Sequence, residues 1–189
     1  LGQEYSLYAG NIEQYFVYFL VMVIAGLIIG MKAISLFKED DAPDFSKRGV
    51  YAFVAVMSIL LFMFFMMWAG EAAEVLATGD TSSGSYTNAP TLFWVIRYLD
   101  LGLTIPLGFL SLYLLLTRPK SAYAIILLFF GFFITLGTAV NAMGWIQFLS
   151  GDPELQLPAL GIFGFLGGLT WIGFIYLIKD KIGAAFAGR

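Results

Sequence analysis

The sequence predicts an all-helical integral membrane protein with five transmembrane helices in one multi-pass domain, residues 1–189. Composition is the first indication, since 60% of the residues are hydrophobic and 12% are charged, about half of the charged fraction typical of soluble domains. The second is a set of five apolar runs, each near the roughly 20 residues that a helix needs to cross a bilayer. These runs cover residues 15–37, 49–69, 91–116, 122–149 and 157–178.

Each run is continuously apolar, and this favours a helix over a strand. Inside a bilayer the main-chain polar groups find partners only in a helix or a closed barrel, and barrel strands alternate in hydropathy. Charged or short connections follow the first, third and fourth runs: KEDDAPDFSKR, TRPKS and SGDPELQLP. The connection after the second run, ATGDTSSGSYTNAP, is longer and rich in turn-forming residues. A small hairpin and an irregular loop both remain open for it.

The distribution of charge predicts the orientation of the chain in the membrane. On a five-helix path every basic residue except Arg97 falls on one side, and no basic residue falls on the other. An excess of Lys and Arg marks the cytoplasmic side. We therefore expect an outside N-terminus, a cytoplasmic C-terminus and a location in the cell membrane. The basic residues are Lys32, Lys38, Lys47, Arg48, Arg118, Lys120, Lys179, Lys181 and Arg189, and the acidic residues opposite them are Glu4, Glu13, Glu71, Glu74, Asp80, Asp152 and Glu154.

Glycines on the first and last runs predict close contacts between helices. Small residues let main chains approach, and packing drives helix association in lipid. Trp171 falls near the middle of the last run rather than at a membrane interface, so it is a candidate for core packing or for lining a ligand cavity. The candidate packing glycines are Gly26, Gly30, Gly161, Gly164, Gly167 and Gly168.

The missing residue types limit the chemistry of the chain. With no cysteine and no histidine, disulfides, thiol catalysis and iron–sulfur clusters are excluded, as are histidine-ligated haem, copper and most zinc sites. No recognisable nucleophile remains, so we expect neither an enzyme nor a metal site. Glu71 and Glu74 lie one turn apart at the end of the second run, where a solvated helix end is the preferred interpretation and cation binding the alternative.

The third run holds a stripe of polar and small residues. At about 100° per residue, Arg97, Asp100, Thr104, Gly108 and Ser111 fall within about one third of the helix circumference. A charge inside lipid costs at least a few kcal/mol and needs a partner. Arg97 and Asp100 are spaced to pair directly or through water, and the Thr104 hydroxyl is placed to bond the carboxylate.

A proline lies just beyond these residues. Pro106 has no N–H to donate to the carbonyl of Gly102, so we predict a weak point and a kink in the helix there. The Asp100 carboxylate beside this point has three interpretations: a counter-ion for a buried cation, a proton relay, or half of a structural ion pair.

The pattern R-Y-x-D-x-x-x-T-x-P, formed by Arg97, Tyr98, Asp100, Thr104 and Pro106, resembles the third-helix signature of the microbial (bacteriorhodopsin-like) rhodopsin family. In that family the arginine and aspartate belong to the counter-ion complex of a protonated retinal Schiff base. The aspartate accepts the proton in outward pumps, and the threonine hydrogen-bonds it. The resemblance implies a rhodopsin-like bundle, helices one to five, and makes the first four residues counter-ion or proton-relay candidates.

The sequence departs from that family at several positions. Leu101 stands where a tryptophan usually packs on retinal, Ile105 replaces a second threonine, and Ser111 replaces the cytoplasmic carboxylate of the proton pumps. Family members have seven helices and bind retinal on a lysine of the seventh. Here five runs are present, and the six lysines lie at or near the predicted cytoplasmic edge. We therefore expect no covalent cofactor on this chain, and retinal or another pigment only with a partner.

Three functions stay open at this point. The preferred one is a rhodopsin-like protein without its own chromophore lysine that acts with a partner chain, as a subunit of a larger membrane complex or as a homo-oligomer. The second is part of a split retinal-binding, light-driven proton or ion transporter, with Asp100 as counter-ion and proton acceptor. The third is a small ion channel or transporter that uses the stripe as an ion path. Nucleic acid is not an expected partner.

Overall fold

The computed structural model describes residues 11–87, 90–151, 155 and 157–187, and every regular element in this part of the chain is helical. All five long helices contain a window long and apolar enough to cross a membrane, so the five predicted spans are confirmed by length and composition. Glu4, Asp152, Glu154 and Arg189, which contributed to the predicted orientation, lie outside the described residues. The helices are α1 Asn11–Leu36, α2 Lys47–Thr78, α3 Pro90–Thr117, α4 Tyr123–Ser150 and α5 Leu157–Ala187.

The helix ends carry the residues that favour them. Ser46 precedes α2 and its Oγ accepts the N–H of Gly49 at 3.1 Å, which satisfies a donor that the first turn leaves open. Gly79 and Gly151 follow α2 and α4 with φ of 68° and 69°, the left-handed conformation in which a residue with a side chain is strained. Pro90 occupies the first position of α3, where no N–H is needed.

The second helix is longer than the apolar run from which it was predicted. The run ends at residue 69, whereas α2 continues to Thr78. Glutamate and alanine dominate the added segment and are strong helix formers even where hydropathy falls. The extension places Glu71 on a helix surface rather than at a frayed end.

The connection after α2 forms local turns. The short helix Gly84–Thr87 lies within it, and the described residues 79–87 contain no strand. Of the two predicted forms of this connection, the β-hairpin is therefore absent from these residues. Asp80 Oδ1 accepts the N–H of Ser82 at 2.9 Å. Hydrogen bonds from Ser82 hold the pKa of Asp80 below its usual value.

The chain forms two compact units. The first contains α1, residues 59–78 of α2 and α3 up to Leu110. Its buried residues include Leu60, Leu61 and Phe93. It also contains the polar residues of α3 that precede Leu110.

The second unit contains residues 37–58, the end of α3, and α4 with α5. Its α4 and α5 pack along their length, and the buried Tyr123 hydroxyl donates to the carbonyl of Leu177 at 2.8 Å. Phe53, near the start of α2, stacks on Tyr176 with ring centroids 5.5 Å apart. The Phe53 ring also contacts Phe130 of α4, with ring centroids 5.1 Å apart, so an aromatic cluster joins α2, α4 and α5.

Candidate functional site

Arg97 is the centre of the polar site in the first unit. Only 5% of it is exposed. Its guanidinium carbon lies 3.6 Å from the ring centroid of Phe93, one turn earlier on α3, and 4.6 Å from that of Trp68 on α2. The faces of aromatic rings attract cations, more strongly where water is excluded. The guanidinium is thus held between two rings that belong to different helices.

Glu71 supplies the carboxylate that pairs with this arginine. Its Oε2 accepts a hydrogen bond from Arg97 Nη2, and Nη1 donates to the carbonyl of Phe93 at 3.1 Å. Within the described part of the chain, Nε of Arg97 finds no acceptor. Glu71 is one turn beyond Trp68 on α2, so a single helix face provides both a ring and a counter-charge. We refer to Trp68, Glu71, Phe93 and Arg97 as the arginine clasp.

The sequence did not assign this pairing. The sequence favours a solvated helix end at Glu71, and 41% of its side chain is exposed; the structure adds a bond from this side chain to Arg97, whose own side chain is 6% exposed. One argument could have indicated this pairing from the sequence. An arginine within an apolar helix needs an anion, and Glu71 is an acidic residue near the end of the preceding helix. The predicted pairing of Arg97 with Asp100 stays a prediction.

An aromatic group adjoins the clasp. Tyr86, from the short helix before α3, lies 5.1 Å from Phe93 and 6.3 Å from Trp94 between ring centroids. Phe93 and Trp94 meet edge-to-face at 5.3 Å. Such pairs add roughly 0.5–1.5 kcal/mol beyond the area they bury. They fix the connection against the end of α3 and cover the ring on which Arg97 lies.

Asp100 begins a π-helical turn that extends over Asp100–Thr104. The N–H of Ile105 donates to the carbonyl of Asp100, five residues back rather than four. Pro106 lies two residues after Thr104, close to the weak point that the sequence predicts in the helix hydrogen bonds. Turns of this kind are rare and occur frequently at functional sites.

The π turn changes which residues share a side of α3. It holds one residue more than an α-helical turn, so side chains before it are rotated by about 100° relative to those after it. Arg97 therefore aligns with Ile105, which is 4% exposed. Thr104, which an unbroken α-helix would place under Arg97, is only half-buried.

The other residues of the predicted site on α3 differ in exposure. Asp100 is half-buried, whereas Gly108 and Ser111 are buried. Tyr98 is 75% exposed and Pro106 is exposed. The first unit thus brings Arg97 together with Glu71 and two rings, and leaves the Tyr98 ring on the surface.

The predicted packing glycines divide into two groups. In the second unit, a Cβ added to Gly167 would lie 2.6 Å from Asn141 Nδ2, and one added to Gly164 would lie 3.5 Å from Asn141 Oδ1. Asn141 also donates to the carbonyl of Phe163 at 3.0 Å, so it ties α4 to the glycine side of α5. Apart from the adjacent residues and the backbone of the same helix, no heavy atom of the described chain lies within 4 Å of a Cβ added at the other four: Gly26, Gly30, Gly161 and Gly168.

Trp171 lies on the surface of the α4–α5 pair. It is 44% exposed, and its Nε1 donates to Thr138 Oγ1 of α4 at 2.9 Å. The Thr138 hydroxyl in turn donates to the carbonyl of Ile134 at 2.6 Å. The indole therefore has its polar group satisfied across the helix pair while its ring faces outward.

Chemically, the first unit offers a fixed cation with its own counter-charge and a second carboxylate one turn away. The clasp neutralises Arg97 on the side of α2, and Asp100 adds a further acidic group at the π turn. No family model, no curated protein and no solved structure matches this chain.

Proposed function

We propose that the chain is a rhodopsin-like membrane protein that acts with a partner chain, as a subunit of a larger membrane complex. The observation that carries this proposal is the partial exposure of Asp100 and Thr104 within a helix apolar enough to cross a membrane. A carboxylate that is partly exposed to lipid within a membrane span is costly. A protein surface from a partner would remove that cost.

The first helix supports the same proposal. Its apolar window has no buried residue, and the space around Gly26 and Gly30 is open in the described part of the chain. Glycines at this spacing favour close approach of a second helix. We place the N-terminus outside the cell membrane and the C-terminus in the cytoplasm, on the charge distribution of the sequence.

A second candidate function rests on the position of Asp100. It occupies the aspartate position of the R-Y-x-D pattern and is half-buried, so a group from outside the chain could approach it. All six lysines of the sequence lie at positions other than the middle of a predicted span. If retinal binds at this site, its lysine comes from outside these residues, and Asp100 is counter-ion and proton acceptor in a split light-driven transporter.

The experiment begins with gentle extraction of a tagged chain from its native membrane. Mass spectrometry of co-purifying chains and a visible absorption spectrum are then recorded on the same sample. A stoichiometric partner in a colourless complex supports the subunit proposal. A visible band that hydroxylamine bleaches, with a partner carrying a buried lysine, supports the split transporter. A colourless chain that runs alone contradicts both.

Matched variants connect the outcome to the site. Asp100→Asn removes the charge at the π turn, and Asp80→Asn removes one from an exposed connection. If Asp100 meets a partner or a pigment, the first variant loses the partner or shifts the absorption band, and the second leaves both unchanged. If both variants keep the partner and the absorption band unchanged, Asp100 does not contact the partner or the pigment.

A further inference from the structure

We propose that α3 can adopt two registers around the turn Asp100–Thr104, and that the arginine clasp selects the register seen here. This device is independent of the proposed function, because it concerns how one helix holds its charged residues. It gives the chain a means of presenting Arg97 and Asp100 on either of two sides of the same helix.

The register seen in the structure contains the π turn. Arg97 then lies on the side of α3 that carries Ile105, and both residues are buried, at 5% and 4% exposure. In this arrangement the isoleucine gains packing contacts and the guanidinium is enclosed by its two rings and its carboxylate. Thr104 is displaced to a half-buried position at the edge of that side.

The second register is an unbroken α-helix. Closing the turn rotates the segment before it by about one residue step, roughly 100°. Arg97 and Asp100 would then align with Thr104 and Gly108. That alignment is the polar stripe that the sequence pattern predicts, so the same residues have a defined side to occupy in either state.

Pro106 weakens the preference of the main chain for one register. In an unbroken helix its missing N–H leaves the carbonyl of Gly102 without a donor. In the π register the N–H of Ile105 donates to the carbonyl of Asp100, whereas in an α-helix it would donate to the carbonyl of Leu101. The next residue that could donate to the Leu101 carbonyl is Pro106, which has no N–H. The hydrogen-bond ladder is interrupted at this point in both states. Space around Gly102 is also open in the described structure.

The arginine clasp supplies the bias between the two registers. Glu71 and Trp68 hold the guanidinium from α2, and rotation of α3 would withdraw Arg97 from both. Loss of the Glu71 charge weakens the bond to Nη2, because an amide oxygen accepts less strongly than a carboxylate, and it deprives the buried cation of this counter-charge. Thr104 and Gly108 lie along the side to which Arg97 would turn, and Asp100 would turn with it.

The test measures a distance within the first unit by pulsed electron spin resonance. The chain has no cysteine, so Leu76→Cys on α2 and Tyr98→Cys on α3 can be labelled specifically; the native residues are 74% and 75% exposed. A rotation of about 100° moves a side chain 5–6 Å from the helix axis by about 8 Å. We expect one distance in the parent pair and a second, shifted distance when Glu71→Gln is added. Glu74→Gln, one turn away, is the matched control and should leave a single distance.

A deletion separates a change of register from a tilt of the whole helix. Removing Leu103 takes the surplus residue out of the turn and leaves Arg97 and Ile105 on one side of a regular helix. In that background Glu71→Gln should show a single distance, like the parent. A second distance that persists there would overturn the proposal, as would equal distances for Glu71→Gln and Glu74→Gln. Deletion of Gly102 serves if the Leu103 deletion fails to fold, and if both fail the comparison of the two glutamine variants decides.

Discussion

Arg97 is buried almost completely, yet both of its terminal nitrogens have acceptors and its flat face lies on two rings. The enclosure is drawn from two helices, so the residue acts as a connection between α2 and α3 within the first unit. A cation with this much apolar contact depends strongly on its bond to Glu71, because removal of that carboxylate takes a counter-charge away from a buried cation.

We expect Glu71→Gln to lower the free energy of unfolding by about 1–3 kcal/mol, because the amide still accepts a hydrogen bond but no longer compensates the buried charge of Arg97. Glu74→Gln should change it by less than about 0.5 kcal/mol, since that side chain is exposed. Thermal unfolding in detergent, followed by circular dichroism, compares the two. Equal midpoints would show that the clasp does not stabilise the fold.

Tyr123 offers a second residue-scale prediction, in the other unit. Tyr123→Phe removes the hydroxyl that donates to the Leu177 carbonyl, and we expect the free energy of unfolding to fall by about 0.6–2 kcal/mol, the range for hydrogen bonds between membrane helices. Tyr113→Phe is the control, because that ring is 60% exposed. The same unfolding experiment serves, and a Tyr123→Phe midpoint equal to that of the control would contradict the assignment.

At this scale the sequence indicated which residues carry charge inside an apolar helix, but not their partners. Arg97 was recognisable because a lone arginine interrupts a hydrophobic run. Its bond to Glu71 depends on the relative register of α2 and α3, and the pattern within either helix contains no information on that register. Local spacing suggested Asp100 instead, since only residues on one helix can be related by spacing alone.

The helices show how glycine positions acquire different roles on one element. On α5, Gly167 faces α4 with its Cα 3.8 Å from the position of a Cβ on Gly137, and Gly173 faces Met57 of α2 at 2.7 Å from such a position. Gly168, one residue after Gly167, faces open space. One helix therefore uses two sides for packing in the second unit and leaves a third uncovered.

This arrangement predicts opposite outcomes for two adjacent substitutions. Gly167→Ala forces a methyl group against Asn141 and should cost about 1–3 kcal/mol, the usual penalty for overpacking. Gly168→Ala meets no neighbour and should be neutral or stabilising by up to about 1 kcal/mol, because alanine favours the helix. Unfolding midpoints of the two variants test this. Similar destabilisation by both would mean that the open side of α5 is covered in the folded protein.

Helix length and continuity were predictable only in part. Hydropathy located all five spans, since an apolar run of this length has few alternatives, but it ended α2 nine residues early because helix propensity continues where apolarity stops. The stripe on α3 assumed a constant step per residue. Pro106 marked the place where that assumption fails, and the π turn that shifts the register depends on packing around Arg97 and Ile105, which sequence periodicity does not represent.

The orientation of the whole molecule can be tested with two single cysteines. Ser82→Cys lies in the connection after α2, where the residue is exposed, and Asp44→Cys lies before α2 at a side chain that is 96% exposed. Under the predicted orientation, a membrane-impermeant thiol reagent labels Ser82→Cys in intact cells. Asp44→Cys should react only after permeabilisation. The reverse labelling pattern would show that the orientation is the opposite of the predicted one. Labelling of both cysteines in intact cells would show that α2 does not separate the two positions across the membrane.

The two units differ in when their parts emerge from the ribosome. Residues 59–110 of the first unit are made in one continuous stretch, so both partners of the Arg97–Glu71 pair are present once α3 has been made. The second unit joins an early segment of the chain to the last helix. Gly49 contacts Tyr176 and Met57 contacts Gly173, so these contacts need α5 to have been made. The order of the chain therefore lets the charged residue meet its counter-charge during synthesis, whereas the aromatic and hydrogen-bonded contacts of the second unit can form only after its last helix is made.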